Sequence, residues 1–206
     1  MIGRMYGSQK FYVAYLNLTE YYLRTETLNI EYTCMSTLPF SSIGTYSDSY
    51  TPTTVLSRMI EGIGFRFYWA TEGLRQIDLD YKPCKDGRSC YETIEHVSML
   101  TDAICDAFAG RVYNFSNHKS GFGAYREGAL NNLNTIFHAL KENPDLSDVS
   151  VRLDYNGQDV ITPFWNLING PFSDIIYHTG QIVAFRRIAG NPINQGVSVF
   201  LGQVTE

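Results

Sequence analysis

Asp174 and His178 stand four residues apart, a spacing that on a helix projects both side chains from one face, about a turn from each other. A carboxylate and an imidazole so placed can grip one cation. His96 comes from a distant segment. As a third donor it would complete a set of one carboxylate and two imidazoles, which suits Zn(II), Ni(II), Fe(II) or Mn(II) and leaves positions open for water or substrate. From spacing alone, solvated or core-satisfied side chains account for these residues better than ligation does, because a chain with four histidines offers some pair near a carboxylate. Gln181, one turn beyond His178, is placed to donate to a bound ligand or to a neighbouring helix. Glu72 is either a carboxylate that orients an imidazole from behind or a solvated side chain.

The remaining reactive side chains read as structural. His138 and His118 read as surface or capping residues. Cys84 and Cys90, with His96 beyond them, lack the CxxC spacing of a zinc site. The four cysteines, Cys34, Cys84, Cys90 and Cys105, are too few and too irregular for a disulfide framework, so reduced thiols are expected. Arg186 and Arg187 suit the dipole at the end of their own helix. Trp69 and Trp165 read as core residues, and some aromatic side chains can line a pocket beside the metal.

Four elements must position the candidate ligands. From Thr53, the residues Leu56, Met59, Ile60, Ile63, Phe67, Ala70 and Leu74 recur at helical spacing and form one apolar stripe. Gly62 and Gly64 weaken that helix by roughly 1 kcal/mol each and are expected to permit close helix contact. Ser89, three residues before Glu92, forms the sequence of a capping box. It opens a second helix whose stripe is Ile94, Val97, Leu100, Ile104 and Phe108, with His96 beside it. A third stripe, Leu130, Leu133, Ile136, Phe137 and Leu140, follows a loop around Asn117, Gly121 and Gly123 and stops at Pro144. The alternating run VRLDYNGQDVI around Asn156 and Gly157 reads as a short hairpin excursion, not a sheet. Thr162 and Pro163 mark a further helix start. Gly170 and Pro171 are expected to divide that stretch, leaving a fourth helix from about Pro171 to Ala189, closed by Gly190 and Pro192. These elements predict an all-α fold, an antiparallel four-helix bundle with a hairpin-like excursion before the last helix.

Composition bounds the function. With 206 residues the chain can bury a core without disulfides. Sixteen basic against 21 acidic residues leave no basic stripe for phosphates, so nucleic acid is not an expected partner. Apolar runs fall well short of the roughly 20 residues a membrane span needs, and the N-terminus lacks a signal-type apolar segment; a cytoplasmic location is the expectation. Residues 1–49, rich in Tyr, Thr and Ser, read as a peripheral or disordered extension. The first 34 of them read as lying upstream of a protein start at Met35. Residues 50–192 form the bundle and 193–206 a tail.

Two segments resemble the DinB/YfiT-like family of bacterial four-helix-bundle proteins. DLDYKPCKDGRSCYETIEHVSML is similar to that family's loop and second helix with its metal-binding histidine, at the position of His96. SDIIYHTGQIVAFRRIAGNP is similar to its fourth helix, where two histidines four apart precede a Gly-Gln pair. His178 matches the second of those histidines; Asp174 stands where the first would be and departs from the three-histidine pattern. The resemblance spans about residues 53–192. It implies a metal-dependent enzyme acting on a small molecule, with a low-molecular-weight thiol as a candidate cofactor whose pKa the metal lowers. It also leaves room for hydrolysis of a small substrate or for a non-catalytic, stress-related binding module, and it implies a homodimer.

Overall fold

Thr51 and Pro52 determine where the first long helix begins. The Thr54 amide donates to the Thr51 hydroxyl (3.2 Å), and the Thr51 amide donates to the Thr54 hydroxyl (2.8 Å). Pro52 fills the first turn, where a missing amide costs nothing. Helix α1 then runs Pro52–Thr71. The computed structural model describes residues 37–115, 119–142, 145–155 and 157–205. After α1 come the short α2 (Gln76–Leu79), α3 (Cys90–Phe108) and α4 (Phe122–Glu142). The last helical stretch joins α5 (Trp165–Leu167), a π-helical turn (Ile168–Phe172) and α6 (Ser173–Ile188). The expectations for residues 1–34, Cys34, His118, Asn117, Pro144 and Asn156 lie outside the described residues.

The apolar stripes meet in one core. Leu56, Ile60, Ile63 and Phe67 of α1 join Ile94, Val97 and Ile104 of α3, Leu130, Leu133 and Ile136 of α4, and Ile175 and Ile182 of α6. Each fully buried side chain of this kind contributes roughly 1.5–3 kcal/mol relative to exposure. Around that core each long helix touches two others, in the order α1, α4, α3, α6 and back to α1.

Side-chain contacts give the directions. Tyr125 donates to Glu95 (2.6 Å) and Asn132 to Asp102 (2.6 Å). Both helices advance seven residues between those contacts, so α3 and α4 run parallel. Arg126 near the start of α4 donates to Thr71 at the end of α1 (3.0 Å), so that pair is antiparallel. Arg186 at the end of α6 bonds carbonyls at the end of α1, which makes α1 and α6 parallel. The helix-rich character expected from the stripes is present, whereas a uniformly antiparallel arrangement is not: the α3–α4 connection carries the chain back along α3 before α4 begins.

That connection also contributes one strand to a sheet where only an excursion is expected. Strands β2 (Ser150–Tyr155) and β3 (Gln158–Pro163) form the hairpin, and β1 (Val112–Tyr113) adds a third strand, parallel to β2, with Val112 opposite Arg152. Two residues are too few to show a strand period. Residues 193–206 hold a second ribbon, β4 (Val197–Ser198) against β5 (Gln203–Val204).

Two further differences have local causes. Gly64 makes room for an aromatic ring, not for a helix: a Cβ there would lie 2.4 Å from Cγ of Phe40. Phe40, at φ 71°, is only 9 % exposed and meets Phe137 edge-on at 6.5 Å, so part of the segment expected to be peripheral belongs to the core. Gly170 and Pro171 do not divide the last helical stretch. Proline cannot donate in a regular helix, and the π-helical turn takes up the disruption; the Ser173 hydroxyl donates to the Ile168 carbonyl (2.6 Å).

Candidate metal centre

Ser89 sets the start of the helix that carries His96. The Glu92 amide donates to the Ser89 hydroxyl (3.1 Å) and the Ser89 amide to the Glu92 carboxylate (2.6 Å), so the capping box read from the sequence is formed. His96 follows in the second turn of α3, and Asp174 and His178 lie in the first turns of α6. These two helices are neighbours, and the three side chains converge.

Asp174 sits between the imidazoles. Its Oδ2 is 3.1 Å from Nε2 of His96, and its Oδ1 is 3.3 Å from Nε2 of His178. The two contacts use different oxygens of the one carboxylate, so Asp174 bridges the two rings. One donor atom from each of the three residues lies within 4.8 Å of the others. The histidine rings meet edge-on, with centroids 4.8 Å apart. This group can hold a metal ion.

Burial prepares the nitrogens. His178 is buried, while His96 and Asp174 are partly open to solvent, which leaves one side of the group accessible. Removal from water holds the His96 imidazole below its ordinary pKa; the hydrogen bond with Asp174 opposes this, and Arg88 and His178 reinforce it. A neutral imidazole keeps the lone pair that ligation needs. Behind His178, Nδ1 lies 2.7 Å from Oε1 of Gln181, so Gln181 contacts the ring and not a neighbouring helix.

Other sequence candidates go elsewhere. Glu72 pairs with Arg126, not with an imidazole. Its carboxylate and the Thr71 hydroxyl hold that guanidinium, which also lies over the Tyr68 ring at 4.8 Å. His138 is exposed on α4. Cys84 is exposed and Cys90 buried, and neither joins the cluster. Trp69 donates to the Ser41 carbonyl (3.0 Å), whereas Trp165 is 71 % exposed and not a core residue.

Arg186 does something its position in the sequence does not suggest. It is buried and serves another helix: Nη1 donates to the carbonyls of Trp69 (3.0 Å), Ala70 (3.1 Å) and Glu72 (2.8 Å), closing the end of α1. Its Nε donates to Asn191 (2.7 Å), whose amide reaches the buried Asp78 (2.7 Å). Arg75 and Asn191 hold the Asp78 carboxyl well below the usual carboxylate range against the opposing effect of burial. This polar knot ties α1, α2 and the end of α6 together and so fixes the helix that carries Asp174 and His178.

A groove of about 1140 Å³ lies away from the three residues, with Val55 and Met59 of α1, Phe137 of α4 and Ile176 of α6 in its wall. No helix among the described residues is long and apolar enough to cross a membrane. Compared with protein-family models, with curated proteins and with solved structures, the chain matches none.

Proposed function

We propose that this protein is a DinB-like four-helix bundle that holds one divalent ion, Zn, Ni, Fe or Mn, on His96, Asp174 and His178, and that it is a metal-dependent enzyme acting on a small molecule, with transfer involving a low-molecular-weight thiol as its reaction. The observation that carries the reading is the convergence of a nitrogen from α3 with an oxygen and a nitrogen from α6, all within 4.8 Å of one another. The closed ring of contacts among four long helices supports the bundle. The two motif resemblances support the family and the class of reaction.

A bound ion would supply Lewis acidity that lowers the pKa of a thiol or of water. The chain supplies the rest. His96 and His178 would present ring nitrogens to the ion, Asp174 would contribute the negative charge that favours a cation, and the buried side of the group excludes water from His178. Among the described residues no further histidine, cysteine or carboxylate joins the group. Exposed Val55, Met59 and Ile176, on the two parallel helices α1 and α6, support a homodimer through that face.

Elemental analysis of the purified full chain tests the site, with about one ion per chain expected and substantially less for His96→Ala and His178→Ala. The metal-loaded protein is then assayed with a panel of thiols and electrophiles. Turnover that needs a thiol supports the proposal. Hydrolysis of test esters or amides without any thiol replaces it with a hydrolase, and an ion-free chain that still binds ligands makes it a non-catalytic module.

A further inference from the structure

His178 has two ring nitrogens, and α6 decides what each one meets. Nε2 faces Asp174, four residues earlier, at 3.3 Å, and Nδ1 faces Gln181, three residues later, at 2.7 Å. The ring has little freedom: it is 8 % exposed, with the rings of His96 and Tyr177 against it at 4.8 and 5.4 Å. Since Oε1 of Gln181 can only accept, the hydrogen of a neutral imidazole belongs on Nδ1. Its lone pair is then on Nε2 and points at a carboxylate oxygen. Two lone pairs at that distance repel unless a proton or a metal cation lies between them.

We infer that Gln181 is a positioning residue, holding His178 in the Nδ1–H tautomer and in the ring orientation that present Nε2 to a divalent cation shared with Asp174 and His96. The inference rests on the metal-site reading above and adds how the site is kept ready. A glutamine can also do the reverse. Turned half a turn, its amide nitrogen would donate to Nδ1, moving the hydrogen to Nε2, where it would bond Asp174 and close the site. Glutamate, an acceptor only, can support just the open arrangement, and leucine supports neither.

The variants Q181E and Q181L of the full chain separate these cases. Co(II) is the probe, its affinity measured by competition with a chelator, and the ring hydrogens are located by NMR on metal-free protein with ¹⁵N-labelled histidine. An H178Q variant assigns the His178 signals. Loss of a group that orients a ligand from behind costs about 10–100-fold in metal affinity. Q181L is expected to bind Co(II) about 10–100-fold more weakly, with the His178 hydrogen moved to Nε2. Q181E is expected to bind at least as tightly as the parent, with the hydrogen on Nδ1. Unchanged Co(II) affinity in Q181L, or an unchanged tautomer in that variant, overturns the inference. A parent protein that binds no Co(II) sinks the metal-site reading instead, and the NMR measurement alone then decides whether Gln181 controls the ring.

Discussion

If His96, Asp174 and His178 share one ion, adding metal must raise the melting temperature, because most of the site does not exist until the chain folds. His96 and Asp174 are 78 residues apart. The unfolded chain keeps only the Asp174–His178 pair at helical spacing, and without the helix that pair is lost too. An ion supplied at a hundred times its dissociation constant stabilises the folded state by about 2.7 kcal/mol. For domains of 150–250 residues each kcal/mol moves the midpoint by about 2–4 °C, so the expected rise is about 5–11 °C. Scanning calorimetry with and without Zn(II), Ni(II), Mn(II) and anaerobic Fe(II), each against a chelator-treated control, reads it directly. In His178→Ala the metal-dependent rise should fall to about 1 °C or less. Removing a buried ring lowers the baseline as well, but that loss cancels in the difference. Two results would refute the reasoning: no ion shifts the parent protein, or His178→Ala responds as strongly as the parent.

Other outcomes follow from the packing around the site. Gly64→Ala places a methyl 2.4 Å from the Phe40 ring and should cost about 1–3 kcal/mol in urea unfolding. Part of that loss should return in the Phe40→Ala, Gly64→Ala double variant, and strict additivity would show that the two positions do not touch. Arg186→Met strips the carbonyls at the end of α1 of their donor and should cost roughly 2–4 kcal/mol by the same measurement. Arg186→Lys should not restore it, since one ammonium cannot reproduce the planar fork; a loss below 1 kcal/mol for Met would show the knot to be dispensable. Burial pushes the Cys90 and Cys105 thiols up to about 12, whereas Cys84 is exposed. Peptide mapping after brief alkylation at pH 8 should find Cys84 modified in the native protein, and Cys90 and Cys105 modified only after denaturation.

Local chemistry explains which features could be read in advance. The capping box at Ser89 and Glu92 involves residues three apart, and the stripe Ile94, Val97, Ile104 repeats within one helix, so both follow from short-range geometry. Asp174 and His178 are a local pair for the same reason. His96 is not. Spacing can propose it as a donor, but only the neighbouring of α3 and α6 brings it to Asp174, and in the sequence that neighbouring is signalled by motif resemblance alone.

What could not be read in advance are contacts between segments distant in sequence. A basic residue in the last turn of a helix suits its own dipole, yet Arg186 turns to the end of α1, because that end lies beside α6 and the last carbonyls of a helix have no partner within it. Glu72 follows the same logic, held by an arginine from α4. Phe40 lies in a segment without period, and only the missing side chain at Gly64 shows where its ring goes. The parallel run of α3 and α4 depends on the connection between them, whose two-residue strand finds its partner about 40 residues later. Of these contacts, those of Arg186 tie down the end of α6, the helix that carries Asp174 and His178. Asp174 and His178 thus declare themselves locally, while their meeting with His96 depends on long-range contacts, which is why disrupting Arg186 should loosen the candidate site without touching any of its three residues.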